Sequence, residues 1–249
     1  MSHAADSFGA DAAEYARRRP HYPPELFAFI ARHAPGRNLA WDAATGNGQA
    51  AHGLVRYFTR VYASDGHAAQ IAAAPPHPRV TYHHEAAEAC SLPAASCDAV
   101  TVAQALHWFD LPRFSAVLQR VLRPGGLFCA WGYSFATVTP AVDALIEREL
   151  LTVLEPYWAA QNQLLWRGYR DIELPLRELP VPSFELDLHW DRAGYLSYLA
   201  TWSASRRAVA ERGDAWWADL CGRLATVWPD SAELRSVRMP LLLRAAVNA

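Results

Sequence analysis

The chain reads as an α/β fold: an open, mainly parallel sheet with helices on both faces. Three observations predict it. Short apolar or β-branched runs recur, segments with helical spacing separate them, and glycine- or proline-rich turns mark the joins. At 249 residues the chain suits one domain with an inserted region better than two independent domains.

Residues 8–34 carry a helical pattern broken by Arg19-Pro20-His21-Tyr22-Pro23-Pro24. Residues 38–43 are the first strand, and Ala50, Leu54, Val55 and Phe58 then share one helical face. Strands are expected at 60–65, 79–83 and 98–103, with a short helix at 67–74. Phe114, Val117, Leu118, Val121 and Leu122 follow the spacing of an amphipathic helix. Pro124-Gly125-Gly126 stops that helix, and 127–131 is the next strand. Beyond it lie a long helical pattern over 139–170, an alternating strand at 183–190, a Trp-rich helical stretch over 192–228 and a strand at 237–247.

Composition narrows the function. With 52% hydrophobic and 19% charged residues, the chain folds around a substantial core. A net charge of −2 argues against nucleic acid as a partner, because phosphate backbones call for a basic footprint. All 23 basic residues are Arg, which excludes Schiff-base and P-loop lysines. Cys90, Cys97, Cys129 and Cys221 form no CxxC pair and read as reduced, buried thiols. The first residues lack the basic and apolar regions of a secretory leader, and no apolar run nears the ~20 residues a bilayer requires. The expectation is a soluble, cytoplasmic protein.

The chemistry centres on the turn Asp42-Ala43-Ala44-Thr45-Gly46-Asn47-Gly48-Gln49-Ala50-Ala51. Small residues after a first strand let backbone approach a ligand, and the following helix offers free N–H groups. Asp65 ends the second strand, at the offset of a carboxylate that accepts ribose hydroxyls. Together they indicate a nucleoside cofactor. Gly46 to Ala51 also fits GxGxxA, which keeps an NAD(P)-dependent oxidoreductase open as an alternative. Three features favour another cofactor: Asp42 suits a sulfonium better than a pyrophosphate, some forty residues precede the first strand, and 103–110 has no nicotinamide role.

Several further segments make a resemblance specific. They include Tyr15, Arg19-Pro20 and Tyr22-Pro23; Ala87-Glu88; the run from Ala103 through Gln104 to His107-Trp108-Phe109-Asp110; and Leu122-Arg123-Pro124-Gly125-Gly126. Trp131-Gly132-Tyr133, Pro156-Tyr157-Trp158, Thr201-Trp202-Ser203-Ala204 and Pro240-Leu241-Leu242-Leu243-Arg244 complete it. The chain resembles class I S-adenosylmethionine-dependent methyltransferases (type 11-like), in the small-molecule group that includes the trans-aconitate methyltransferases.

That resemblance implies a Rossmann-like sheet of seven strands with an antiparallel last strand. It implies one domain over 1–249: an N-terminal cap (1–34), a cofactor-binding core (35–135) and a region holding a helical lid and the last two strands (136–249). The cofactor would be S-adenosyl-L-methionine. Asp42, Ala44, Gly46 and Gly48 would surround its methionine part, Asp65 its ribose, and Ala87 and Glu88 its adenine. Gln104 would close the site, while Tyr15 and Arg19 would cap it. Ala44 stands where the family has its first glycine and is tolerable if its backbone angle is negative. Ala86 replaces a polar residue.

His107, at a strand end facing the cofactor, is the candidate catalytic residue, as a base or as an orienting imidazole. Trp108, Tyr133, Trp158 and Trp202 are candidates for the substrate cleft. No metal is expected, since the adjacent His83 and His84 point to opposite faces of a strand. The expected activity is methylation of a small molecule at oxygen, with a carboxylate held by an Arg as candidate acceptor. A cofactor-binding partner protein without catalysis is the other alternative. Oligomeric state is left open.

Overall fold

A computed structural model describes residues 20–133 and 135–249. Its sheet contains β1 (Leu39–Ala43), β2 (Arg60–Asp65), β3 (Val80–His84), β4 (Cys97–Ala103), β5 (Leu122–Tyr133), β6 (Arg177–Leu179), β7 (Phe184–Trp190) and β8 (Arg235–Val247). The order is β3-β2-β1-β4-β5-β8, with β6 and β7 both pairing β8. The first five strands are parallel, and β8 runs antiparallel to β5. Leu241 pairs both Tyr133 and Phe184, so β7 lies on the edge of β8 opposite β5. Eight strands thus occupy seven positions across the sheet, rather than the seven strands expected. The extra one, β6, is a three-residue strand with no alternation long enough to read.

Alternation through the central strands separates two cores, as a sheet covered on both faces requires. Ala40, Ala99, Leu127, Cys129 and Trp131 face one layer, which includes α1 (Pro24–His33) and α2 (Gln49–Leu54). Trp41, Ala43, Val100, Val102, Phe128 and Ala130 face the other, which includes α4 (Leu111–Val121). The short α3 (Ala68–Ala73) follows β2. Strand order reverses beside β1, where β1 pairs β2 on one edge and β4 on the other. That reversal opens a crevice at the carboxyl ends of β1 and β4.

Two expected boundaries move. β5 begins at Leu122 rather than 127, and its pairing shifts register between Cys97 and Ala99 to pass Pro124 and Gly125. Proline cannot donate to the ladder, so the strand bulges there. The helical pattern over 139–170 is not continuous. It is α5 (Pro140–Ile146), a π-turn (Glu147–Leu151), short turns through Tyr157 and then α6 (Asn162–Trp166). Pro156, without an N–H, ends the first run. The Trp-rich stretch divides into α7 (Arg192–Ala200), α8 (Ser203–Arg212) and α9 (Asp214–Val227). Among the described residues no helix is long and apolar enough to cross a membrane.

Candidate active site

The first turn is tied to its neighbours by hydrogen bonds that leave its outer face open. Thr45 N donates to Ser64 O (2.9 Å), and Gly46 N donates to Asp65 Oδ2 (2.9 Å). Asp65 Oδ1 accepts from His67 N (2.8 Å). A carboxylate offers about four lone-pair sites, so the nearly buried Asp65 keeps acceptor capacity toward the crevice. Ala44, Thr45, Gly46 and Asn47 line a cavity of about 440 Å³, together with Asp65, Ala87, Glu88 and Gln104. Tyr22, His67, Trp108, Phe109 and Tyr133 complete much of its wall. Glu88 accepts from Asp110 N (2.8 Å), which fixes the 3-10 turn at Ala87 against the start of α4.

Asp42 and Gly48 do not line this cavity. Asp42 is fully buried beneath the turn, where Thr45 Oγ1 (2.6 Å) and Thr101 Oγ1 (3.0 Å) donate to its carboxylate. Burial pushes its pKa up to about 6. Gly48 has φ +86°, and a Cβ there would stand 2.5 Å from Tyr82 Oη. Its smallness therefore serves the packing of α2 on Tyr82. Ala44 has φ +53°, so the negative angle at which its methyl would be free of strain is not the one adopted. An alanine accepts the left-handed conformation usually left to glycine, at a cost of roughly 1–2 kcal/mol.

A second cavity, about 110 Å³, adjoins the first. Gln104, Trp108 and Tyr133 line both. Its other walls are Phe135 after β5, Trp158 before α6, Asn162, Leu165 and Trp166 of α6, Tyr198 of α7, and Thr201 and Trp202 between α7 and α8. Phe135 lies 5.5–6.0 Å from the rings of Trp158, Trp166 and Trp202, within the range of favourable edge and offset contacts. His107 joins this wall, 5% exposed. Burial lowers its pKa to about 4, so it is neutral near pH 7. Its Nδ1 lies 3.3 Å from the hydroxyl of the fully buried Tyr169. Arg244 holds the Tyr169 segment by donating to the carbonyls of Tyr169 and Ile172.

The structure therefore brings ten of the predicted site residues onto two adjoining walls: Ala44, Gly46, Asp65, Ala87, Glu88 and Gln104, with Trp108 and Tyr133 shared, and Trp158 and Trp202 beyond. His107 joins them on the second wall. Tyr15 and Arg19 lie outside the described residues. Sequence reasoning missed Phe135, Asn162, Trp166 and Tyr169. For Asn162 the signal was present, an amide inside the run Asn162-Gln163-Leu164-Leu165-Trp166. No group of three His, Cys, Asp or Glu among the described residues could hold a metal ion.

The geometry defines a class: an α/β fold with a crevice at the carboxyl ends of its parallel strands and a separate aromatic chamber beside it. Comparison with known proteins gives the family. Residues 41–130 match the methyltransferase domain family. A protein named as a methyltransferase from Dictyostelium discoideum is 33% identical over 202 residues, 80% of this chain and 77% of that one. An uncharacterized methyltransferase of Mycobacterium tuberculosis is 32% identical over 178 residues, 66% of this chain and 71% of that one. The solved structure of a type II methyltransferase from Anaeromyxobacter dehalogenans superposes with a TM-score of 0.87 at 40% identity, covering 92% of this chain and 98% of that one.

This chain belongs to the class I S-adenosyl-L-methionine-dependent methyltransferases. It is an enzyme acting on a small molecule. The oxidoreductase and inactive-partner alternatives fall with that assignment.

Proposed function

We propose that the chain methylates a hydroxyl oxygen of a small, uncharged, ring-bearing acceptor held in the aromatic chamber. The observation that carries this reading is the sharing of Gln104, Trp108 and Tyr133 by the two cavities. A molecule in one space meets a molecule in the other across those three residues. S-adenosyl-L-methionine, when bound, supplies an electrophilic methyl group on a sulfonium. The first cavity fits it in size and in donor set. Asp65 accepts the ribose hydroxyls, the Ala87 and Glu88 turn flanks the adenine, and the 44–47 backbone faces the methionine part. Asp42 and Gly48 shape that turn from behind.

In the second chamber the rings exclude water and align the acceptor, which supplies much of a displacement's rate advantage. His107 is neutral at pH 7 and takes the hydroxyl proton as the oxygen gains its methyl group. A pKa near 4 makes it a weak base, so its contribution sits near the lower end of the 10²–10⁴-fold usual for such groups. The resemblance to trans-aconitate methyltransferases would bring a carboxylate acceptor instead. Such an acceptor calls for a cation. Among the described residues no arginine lines either cavity, and the chain has no lysine. We retain one domain over 1–249, in which 136–249 holds the last two strands and a helical lid that supplies part of the acceptor wall.

Transfer of a labelled methyl group to a panel of phenols, alcohols and carboxylic acids tests the reading. Phenols should be methylated above the rest. Preference for a di- or tricarboxylate would overturn it.

A further inference from the structure

Two residues that line the aromatic chamber each carry a buried polar atom without a hydrogen-bond partner: Gln104 Nε2 and Asn162 Oδ1. Native structures rarely tolerate such atoms, because each forfeits its water without a replacement. Two such amides beside one small cavity are candidates for turning toward a ligand. Gln104 is held with φ +59°, and its N–H donates to Trp131 O (2.7 Å). Its Oε1 lies 2.9 Å from where a Cβ on Gly132 would stand, so a side chain at 132 would displace the amide. Asn162, 8% exposed, opens α6 among apolar neighbours. The chamber is close in size to the engineered apolar cavity of ~150 Å³ that binds benzene, and its walls are mostly aromatic.

We infer that Gln104 and Asn162 are specificity-determining residues that read an acceptor at two points. The ligand is a single-ring molecule with one hydrogen-bond acceptor, facing the Gln104 amide, and one donor, facing Asn162. This deepens the proposed function and rests on its placing of the acceptor in the aromatic chamber. A polar ring satisfies both amide ends. An apolar ring of equal size leaves them bare, and a carboxylate supplies no donor. Sites built to hydrogen-bond a substrate reject the analogue lacking those groups far more strongly than apolar pockets reject a changed methylene.

The test uses the full chain with S-adenosylhomocysteine present and follows the fluorescence of the chamber tryptophans. Catechol should bind at least tenfold more tightly than toluene. Asn162→Leu should abolish that preference while leaving S-adenosylhomocysteine affinity unchanged and thermal stability equal or higher, since an unpaired buried amide is removed. Gln104→Asn, which shortens the amide but retains it at a left-handed position, should reduce the preference by a smaller factor. Equal binding of catechol and toluene overturns the two-point reading while leaving the chamber as the acceptor site. So does an Asn162→Leu protein that keeps its preference. Failure of both rings to perturb the tryptophans, with tight binding of a tricarboxylate, overturns the placing of the acceptor itself.

Discussion

The two cavities of the site are built by different means. The larger is made mostly of backbone: a turn with three consecutive left-handed or tightly bonded positions, a carboxylate at a strand end and a short 3-10 turn. Its residues come largely from the ends of β2 and β4 and from the turns after β1, β2, β3 and β4, with Tyr22 and Tyr133 added from elsewhere. The smaller is made of side chains, chiefly aromatic, gathered from five separate places between residues 104 and 203. The difference teaches how one scaffold serves many reactions. A shared cofactor can be recognised by strand ends and turns, which tolerate sequence change. An individual acceptor must be recognised by side chains on segments that are free to vary.

Breaking one cavity should spare the other. His107→Ala is expected to lower kcat about a hundredfold while leaving S-adenosylhomocysteine affinity unchanged in calorimetric titration. The wild-type rate should fall only as pH drops toward 4, where the imidazole gains its proton. An acid limb near pH 6.5 would show that His107 is not held as buried as described.

Asp65→Ala is expected to weaken S-adenosylhomocysteine at least tenfold, since charge-assisted hydrogen bonds contribute roughly 1.5–3 kcal/mol each. It also frees the N–H groups of Gly46 and His67. Ring binding in the aromatic chamber should persist. Loss of both affinities together would mean the cavities are not separable.

A third contrast is electrostatic. The folded pKa of His107 lies below its ordinary 6.5, at about 4, so its contribution to stability is present above pH 6.5 and is lost as pH falls toward 4. The folded pKa of Asp42 lies above its ordinary 3.8, at about 6. Its contribution is present below pH 3.8 and is lost as pH rises toward 6. The opposed slopes, each integrating to about 3 kcal/mol, largely cancel in the wild type. Denaturant unfolding across pH 4–6.5 should therefore be nearly flat. His107→Phe should then be less stable as pH rises, and Asp42→Asn less stable as pH falls.

The smallest effect belongs to Ala44. Ala44→Gly relieves a left-handed alanine at φ +53° and is expected to add about 1 kcal/mol, or roughly 2–4 °C in Tm for a chain of this size. A lowered Tm would show that the methyl packs usefully enough to outweigh its strain.

Legibility in the sequence followed the same division. The parallel strands, and the meeting of Asp65, Gly46 and Gln104 at one crevice, could be read because strand ends and turns restrict residue type locally. The side of the turn that faces the ligand could not. Gly48 and Asp42 were assigned to the cofactor face, although Tyr82 and the two threonines claim them from behind. The angle of Ala44 was left open by the sequence, because a single left-handed alanine costs too little to be forbidden. Of the aromatic chamber, Trp108, Tyr133, Trp158 and Trp202 were legible as cleft candidates, and the rest was not. Phe135, Trp166 and Asn162 meet through tertiary packing, and no spacing announces it. β6 escaped because its pairing partner lies far away in the chain.

That partner, β8, has a kinetic consequence. The widest parallel pairing joins Ala40 to Ala99, whereas Tyr133 must wait for the more distant Leu241 before β8 can enter beside β5. Contacts that close long loops form late. Pulse-labelled hydrogen exchange should accordingly protect the amides of β1 and β4 before those of β8, and simultaneous protection would refute this order. Arg244, which fastens the Tyr169 segment behind His107, is carried by that late strand. On that order the crevice at the ends of β1 and β4 would form first, and the Tyr169 segment behind His107 would be fastened only when β8 locks into place.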